Sequence, residues 1–348
     1  GELSEPLGPL DCANSGTTFF VLLSTAALAG FPVTLTGDEQ LRRRSAGPLL
    51  AALEALGAAV DRTNDDYAPV TVTGPLQGGA ASIECPTSQY LSSLLLAAPL
   101  ARGTSEITVP LLNERPYVHM TLAWLDAQEV SYEKNGLDWF RMPGGQKYTP
   151  FDRLVPGDFS SATFFLAAAA VTESELFIEG LDMNDSQGDR EVVTILDELG
   201  CDVLRRSDGI RIDGGTLGGS EIDLNAMPDA LPALAVVGTA CSAPLRIVNV
   251  PQAREKETDR IAVMAEELSK LGARVDELPD GLVVHPGELR GGRVSSHGDH
   301  RVAMALSVAG LRAREPVTVT NAGVAAITFP RFYDMLRSCG AQVTEEEE

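Results

Sequence analysis

The sequence predicts an α/β fold of two domains, each assembled from copies of one supersecondary repeat of about 70 residues. A helix-like stretch that ends in Leu-Gly-Ala-x-Val or a variant recurs five times, at spacings of 70, 73, 72 and 68 residues. The closing valines are Val60, Val130, Val203, Val275 and Val343. Ala/Leu-rich stretches headed by small polar or charged residues recur at nearly the same spacing. A period this regular indicates duplication of one structural repeat.

One helix of each repeat is predicted to have an apolar and a polar face. Four leucines recur at helical spacing in Arg44–Leu56, and apolar residues repeat that pattern in Asp259–Leu271. Glycines stand at the predicted left-handed ends of these helices: Gly57, Gly200, Gly272 and Gly340. Two short strands are expected to follow each helix, as in Arg274–Asp276 and Leu282–His285.

The other helix of each repeat is almost entirely apolar. Examples are Ala162–Val171, Ala230–Ala240 and Val302–Leu311. Because these stretches lack a charged face, we expect them to be buried on all sides. The repeat therefore reads β-α-β-α-β-β, and three copies would form an inside-out α/β barrel with helices in the middle and sheets around them.

The repeats also predict where the domains begin and end. Gly, Pro and Lys interrupt the pattern near Gly144–Pro156. We expect residues 1–155 to form an N-terminal domain with two of three repeats, and residues 156–348 to form a C-terminal domain with three. Since five repeats are visible, the sequence predicts that the chain lacks an N-terminal repeat.

Composition limits the possible partners. The 348-residue chain has a formal net charge of −22, which disfavours nucleic acid and acidic membrane surfaces as partners. Only four of the 27 basic residues are lysines, and an acidic, Lys-poor, Ala-rich surface is typical of adaptation to high salt. A merely acidic protein without such adaptation is the alternative.

No targeting or membrane segment is apparent in the sequence. No apolar run reaches the length of a membrane span, and residues 1–6 lack the basic start and apolar core of a signal peptide. Five scattered cysteines with no C-x-x-C motif indicate reduced thiols, so the sequence predicts a cytoplasmic protein.

Polar residues head all the buried helices. They include Asn14–Thr18, Thr87–Gln89, Gly157–Ser161, Pro228-Asp229 and Asp299–Arg301. Simple N-capping, worth about 1 kcal/mol, explains any one of them. Five such helix starts occupy the same position in the repeat, and two of them carry Gln or His-Arg, which a cap does not need. This pattern favours a cleft between two domains that binds anionic small molecules at helix N-termini.

The charged run Arg254–Arg260 is the densest chemical signal in the chain. A salt-bridged, solvated turn is the simpler explanation of this run alone. Taken with the helix heads, however, it belongs to a longer series of motifs. The series comprises Asn14-Ser15-Gly16-Thr17-Thr18, Thr87-Ser88-Gln89, Ala98-Pro99-Leu100, Arg115-Pro116-Tyr117, Gly157-Asp158-Phe159-Ser160-Ser161, Pro228-Asp229, Lys256-Glu257-Thr258-Asp259-Arg260, Asp299-His300-Arg301-Val302-Ala303-Met304 and Phe329-Pro330.

In this order and spacing the motifs resemble the 5-enolpyruvylshikimate-3-phosphate (EPSP) synthase family along the whole chain. The resemblance implies two domains of three βαβαββ repeats each. It also implies transfer of the enolpyruvyl group of phosphoenolpyruvate to the 5-hydroxyl of shikimate 3-phosphate, with release of phosphate, in aromatic amino acid biosynthesis. No metal and no organic cofactor are implied, and the full-length protein is expected to be a monomer.

The resemblance assigns roles to individual residues. Asp229 is expected to take the proton from the 5-hydroxyl, Glu257 to serve the methylene carbon, and Lys256 to contact the shikimate phosphate and the charge of Asp229. The residues implied for shikimate 3-phosphate are Thr87, Ser88, Gln89, Tyr117, Asp229, Gln252 and Lys256. Those implied for phosphoenolpyruvate are Asn14, Gly16, Arg44, Gln89, Arg260 and Arg301. Glu114 stands where the family has a serine that faces the shikimate phosphate, and a carboxylate there is expected to repel it.

Three other readings stay open at this point. One is the related transferase that acts on UDP-N-acetylglucosamine, which uses a loop cysteine as acid; the pentapeptide Lys256–Arg260 favours shikimate. The second is an incomplete or non-catalytic homologue that only binds shikimate 3-phosphate. The third, an RNA-end-processing protein on related repeats, is opposed by the acidic charge.

Overall fold

A computed structural model describes residues 3–62 and 65–346 of the chain. The chain divides into two compact units, Gly1–Arg153 and Leu154–Glu348, here called the N-terminal and C-terminal units. Each has its own continuous apolar core. Within the described ranges, no helix combines the length and apolar character that a membrane crossing requires.

The N-terminal unit contains two successive sets of strands and helices. Its strands are β1 (Leu10–Asp11), β2 (Val33–Thr36), β3 (Ala59–Asp61), β4 (Val70–Thr73), β5 (Gly79–Cys85), β6 (Ser105–Leu112), β7 (Glu133–Asn135) and β8 (Trp139–Met142). Its helices are α1 (Gly16–Ala26), α2 (Gly47–Ala55), α3 (Ser88–Ala97) and α4 (Arg115–Ala127). Both sets follow the predicted order β-α-β-α-β-β.

The C-terminal unit continues the same alternation. Its strands are β9 (Glu175–Glu179), β10 (Asp202–Arg206), β11 (Gly209–Asp213), β12 (Glu221–Asp223), β13 (Leu245–Val248), β14 (Val275–Leu278), β15 (Gly281–Val284), β16 (Gly292–Ser295) and β17 (Val317–Thr320). Its helices are α5 (Phe159–Thr172), α6 (Glu191–Leu199), α7 (Leu231–Ala240), α8 (Arg260–Lys270), α9 (His300–Arg312) and α10 (Phe332–Ser338).

Three sheets share one strand order, which establishes the repeat in three dimensions. The orders are β1-β2-β4-β3, β5-β6-β8-β7 and β12-β13-β15-β14. In each sheet the first two strands are parallel and the remaining neighbours are antiparallel. The other sheets contain part of this order, β10-β11-β9 and β16-β17. The predicted α/β repeat fold is therefore confirmed.

The apolar helices lie in the cores, as their composition predicts. Nearly every residue of α7 is buried, and α5, α7 and α9 pack against one another. In the N-terminal unit, α1 packs on α3. A hydroxyl at the α1–α3 contact is satisfied within the core, because Ser93 donates to the backbone oxygen of Phe20 at 2.6 Å.

One of the amphipathic helices differs from prediction mainly at its start. The helix expected over Arg44–Leu56 begins at Gly47, after a short 3₁₀ turn at Leu41–Arg43. Pro48 explains the later start, because it lacks an N–H and suits the first helical turn. The predicted left-handed glycines are confirmed, with φ between 90° and 119° at Gly57, Gly200, Gly272 and Gly340.

Candidate active site

The residues singled out from the sequence form local clusters in both units. In the C-terminal unit, carboxylates and guanidinium groups meet where three helical segments begin, the 3₁₀ turn Pro228–Ala230 before α7 and the starts of α8 and α9. We call Asp229, Glu257, Arg260, Asp299 and Arg301 the carboxylate–arginine cluster. Its formation depends on capping: Asp259 accepts from the backbone N–H of Ala262, and Asp299 accepts from that of Arg301 at 2.8 Å.

Arg260 is at the centre of this cluster. Its side chain is 1% exposed, yet its guanidinium contacts three carboxylates. Nε donates to Oδ2 of Asp299 at 2.7 Å, Nη1 to Oδ1 of Asp229 at 2.7 Å, and Nη2 to Oε2 of Glu257 at 2.6 Å. Burial alone would lower the pKa of Arg260, but the negative charges of these three side chains outweigh it and raise the pKa above its ordinary value. Arg260 is therefore a permanent cation.

Asp229 lies between two guanidinium groups. Its Oδ1 accepts from Arg260, and its Oδ2 lies 3.0 Å from Nη2 of Arg301. Burial would raise the pKa of Asp229, but the positive charges of Arg301, Lys256 and Arg260 outweigh it and hold the pKa far below its usual range. In this arrangement Asp229 is ionised and weakly basic.

Asp299 and Thr258 also belong to the site, although their motifs in the sequence predicted no role for either. Asp299 is fully buried, and besides capping α9 it accepts from Thr258 Oγ1 at 3.1 Å. Burial would raise the pKa of Asp299, but Arg260 outweighs it and lowers the pKa. Burial, and then the charge of Arg260, lower the pKa of neighbouring His300, so this imidazole is neutral. The sequence indicates only that Asp299 can cap a helix, and this position does not reveal that Asp299 pairs with Arg260.

Gln252 and Lys256 lie just before the cluster in the chain. Gln252 is 5% exposed, and its Nε2 donates to the backbone oxygen of Asn225 at 3.0 Å. Its Oε1 is buried and has no hydrogen-bond partner among the described residues. Since buried acceptors are normally paired, Oε1 suits a hydroxyl or N–H donor on a ligand. Lys256 is half-buried, and its charge acts on Asp229.

In the N-terminal unit the start of α1 lies against Arg44. A Cβ atom at Gly16 would come within 2.5 Å of Nη1 of Arg44, so only glycine leaves room for this guanidinium. Asn14 is buried nearby in sequence, and its Nδ2 donates to Asp38 at 2.7 Å and to Gln40 at 2.6 Å. The Oδ1 atom of Asn14 has no hydrogen-bond partner within the described chain. The structure thus brings Gly16 and Arg44 together.

The start of α3 is linked to the starts of α1 and α4. Gln89 donates through Nε2 to Oγ1 of Thr17 at 2.9 Å, which joins α3 to α1. Oε2 of Glu114 accepts from Thr87 Oγ1 at 3.2 Å and from Ser88, at 3.0 Å from N and 2.9 Å from Oγ. Tyr117 lies on the first turn of α4. The sequence predicted only that Glu114 would repel a phosphate. It did not predict that Glu114 accepts hydrogen bonds from Thr87 and Ser88.

One further group, Glu266, Glu267 and His297, could hold a metal ion, because its ligand atoms all lie within 4.8 Å of one another. Lys270 Nζ, however, lies 2.7 Å from a carboxylate oxygen of each glutamate. His297 Nε2 lies 2.6 Å from Oε1 of Glu267. The chain itself therefore supplies positive charge to these carboxylates.

The chain is similar to known proteins along almost its whole length. A sequence model of the family described as EPSP synthase (3-phosphoshikimate 1-carboxyvinyltransferase) matches residues 1–336. A protein of Ruminiclostridium cellulolyticum named 3-phosphoshikimate 1-carboxyvinyltransferase is 45% identical over 339 residues, which are 97% of this chain and 80% of that one. A protein of the same name from Acetivibrio thermocellus is 46% identical over 345 residues, with 99% and 82% of the two chains covered.

A solved structure gives the same result. The EPSP synthase of Acinetobacter baumannii superposes with a TM-score of 0.78 at 29% identity, over 96% of this chain and 79% of that one. A third relative, from Halobacterium salinarum, also named 3-phosphoshikimate 1-carboxyvinyltransferase, is 41% identical and covers 97% of this chain and 80% of its own. Sequence, fold and motifs agree along almost the whole chain, which therefore belongs to the EPSP synthase (3-phosphoshikimate 1-carboxyvinyltransferase) family.

Proposed function

We propose that this protein transfers the enolpyruvyl group of phosphoenolpyruvate to the 5-hydroxyl of shikimate 3-phosphate, releasing phosphate. The family and its named relatives carry this assignment. The observation that supports it most directly is the carboxylate–arginine cluster, in which two candidate proton-transfer groups, Asp229 and Glu257, contact the same buried guanidinium. The reaction needs a base at the hydroxyl, an acid at the methylene carbon and cations for the anionic substrates.

Asp229 is proposed as the base and Glu257 as the acid at the methylene carbon. As positioned, Asp229 is a poor base, because Arg260 and Arg301 both stabilise its ionised form. A carboxylate or phosphate of phosphoenolpyruvate that binds these arginines would neutralise part of their charge. The pKa of Asp229 would then rise toward a useful value. Binding of the anionic substrate would thus activate the base.

Cation and amide groups are proposed to hold the substrates. Arg260 and Arg301, together with Arg44, are proposed for phosphoenolpyruvate, since planar guanidinium groups bind carboxylate and phosphate in two-point contacts. Asn14, Gly16 and Gln89 are proposed to contribute to the same substrate.

For shikimate 3-phosphate we propose Thr87, Ser88, Gln89, Tyr117 and Gln252, with Asp229 and Lys256. The hydroxyls of Thr87 and Ser88 and the backbone N–H of Ser88 at the start of α3 suit a phosphate, and the buried Oε1 of Gln252 suits a ring hydroxyl. Lys256 adds a positive charge that also acts on Asp229.

The activity itself tests this proposal. Shikimate 3-phosphate and phosphoenolpyruvate are incubated with the protein in molar KCl, and mass spectrometry follows the enolpyruvyl ether while a colorimetric assay follows phosphate. We expect both products in equal amounts. Replacing shikimate 3-phosphate by UDP-N-acetylglucosamine should give neither. Product from UDP-N-acetylglucosamine alone, or from no acceptor, would contradict the proposal.

We also propose that the protein works as a monomer in the cytoplasm. All five cysteines are free thiols, which is typical of a reducing compartment, and Cys85 and Cys241 are buried. Burial raises the pKa of Cys85 to about 12 and that of Cys241 to about 11, so both stay protonated at neutral pH. Light scattering in molar KCl tests the monomer: a mass near 36.9 kDa is expected, and a stable dimer would contradict it.

A further inference from the structure

The strongest unassigned feature is a buried carboxylate at the start of α3. The strands β5 and β6 are parallel neighbours, with Cys85 opposite Leu112, so the turns that follow them lie side by side. One turn leads through Thr87 to α3, and the other through Glu114 to α4. The sheet therefore places the Glu114 side chain beside the first residues of α3.

Glu114 makes anion-type contacts there. One oxygen, Oε2, accepts from Thr87 Oγ1, Ser88 Oγ and the backbone N–H of Ser88, at 2.9–3.2 Å. The residue is 2% exposed and lies in a left-handed backbone conformation, with φ of 56°, which few residues other than glycine adopt readily. Glu114 is therefore a buried side chain on a strained backbone, and its carboxylate engages the positive end of the α3 dipole. This position suits an anion that accepts from Thr87 and Ser88.

These donors belong to the residues proposed above to hold the phosphate of shikimate 3-phosphate. Two anions cannot share them, because each donor hydrogen is directed at one acceptor and like charges in a buried site repel. We propose that Glu114 is an internal competitor for the substrate phosphate, whose carboxylate must leave Thr87 and Ser88 before that phosphate can bind there. This inference rests on the proposed function and adds a residue that sets affinity for the phosphorylated substrate.

Substitution of Glu114 provides the test. Glu114→Gln keeps the size of the side chain and removes its charge. Titration calorimetry then measures binding of shikimate 3-phosphate and of unphosphorylated shikimate. We expect the variant to bind shikimate 3-phosphate at least about tenfold more tightly than the unmodified protein does, because a like-charge contact is removed. Its affinity for shikimate should not change, since shikimate has no phosphate.

Glu129→Gln is the matched control. Glu129 lies in the same unit, has the same φ of 56° and is exposed, so its substitution removes the same charge from the same backbone conformation. It should leave both affinities unchanged. Glu114→Ser serves as a second variant, and thermal melts confirm that each variant folds.

Two results would overturn the inference, and they separate it from the proposed function. If the unmodified protein turns over shikimate 3-phosphate but folded Glu114→Gln and Glu114→Ser bind it no more tightly, the function stands and the competitor does not. If neither the unmodified protein nor the variants bind shikimate 3-phosphate, the proposed function fails and the inference fails with it.

Discussion

The guanidinium of Arg260 is almost inaccessible to water and contacts three carboxylates. A charge in such a place is stable only because ionic hydrogen bonds replace its hydration. The same bonds fix the positions of Asp229 and Glu257, so one side chain orients both of the proposed proton-transfer groups. Direct contact of Arg260 with phosphoenolpyruvate, as predicted from the sequence, would require it to exchange a carboxylate partner for the substrate.

At the residue scale, Gly16→Ala should weaken phosphoenolpyruvate binding without a large loss of stability. The added Cβ would meet the end of the Arg44 side chain, which can move, whereas the helix backbone can stay in place. Loss of one charge-assisted contact predicts a KM for phosphoenolpyruvate raised by about tenfold or more. Steady-state kinetics at fixed shikimate 3-phosphate would measure this effect.

Gly30→Ala is the control for this substitution. Gly30 is in the same unit, and a Cβ there would meet nothing within 4 Å. We expect its kinetics to match those of the unmodified protein. An unchanged KM in Gly16→Ala, with normal folding, would mean that Arg44 does not bind phosphoenolpyruvate.

At the scale of elements, the polar residues that cap the buried helices were predictable and their tertiary partners were not. Capping by Asp299 follows from its place before an apolar run, and the structure agrees. Its bonds to Arg260, 39 residues away, depend on how α8 and α9 pack. Glu114 shows the same limit: its contact with Ser88 arises from the pairing of β5 with β6, which no local pattern specifies.

Glu267 provides a pH-dependent link between elements. This buried residue of α8 accepts from Lys270, from His297 and from the backbone N–H of Ser295 at the end of β16. Burial would raise the pKa of Glu267, but these three partners outweigh it and hold the pKa below its ordinary value of 4.5. Since the folded pKa is the lower one, the ionised carboxylate stabilises the fold above about pH 4.5, and this stabilisation is lost as the pH falls through the folded pKa.

Glu267→Gln should therefore lower the free energy of unfolding by about 1–3 kcal/mol at neutral pH. The difference from the unmodified protein should shrink below about pH 4.5. Denaturant unfolding at several pH values would measure it. The control is Glu266→Gln, whose exposed carboxylate also contacts Lys270 and whose loss should cost below about 1 kcal/mol. Equal stability of Glu267→Gln and the unmodified protein at neutral pH would refute this role.

At the scale of the whole molecule, the repeat was the part of the fold that the sequence predicted best. The strands predicted over Arg274–Asp276 and Leu282–His285 form as Val275–Leu278 and Gly281–Val284, and the apolar helices are buried as expected. Their periodicity and composition are local properties. The strand order β1-β2-β4-β3 was not predicted, because it depends on which edges pair across the repeat.

The net charge of −22 also acts on the molecule as a whole. Self-repulsion destabilises a compact acidic protein at low ionic strength, and salt screens it. We expect the Tm to rise between about 0.1 M and about 2 M KCl, with a similar rise in NaCl. A neutral osmolyte such as sucrose is excluded from the protein surface but does not screen charge, so it distinguishes charge screening from surface exclusion. A Tm that is unchanged or lower in high salt would argue against salt adaptation.

We propose that Asp229, held by Arg260 and Arg301, is the base of an enolpyruvyl transfer. Phosphate release from shikimate 3-phosphate and phosphoenolpyruvate in molar KCl tests it most directly, for the unmodified protein and Asp229→Asn, with exposed Asp197→Asn as control. We expect release by the unmodified protein and the control, and a loss of about 10²–10⁴-fold in folded Asp229→Asn. Equal rates in Asp229→Asn and the unmodified protein would contradict it.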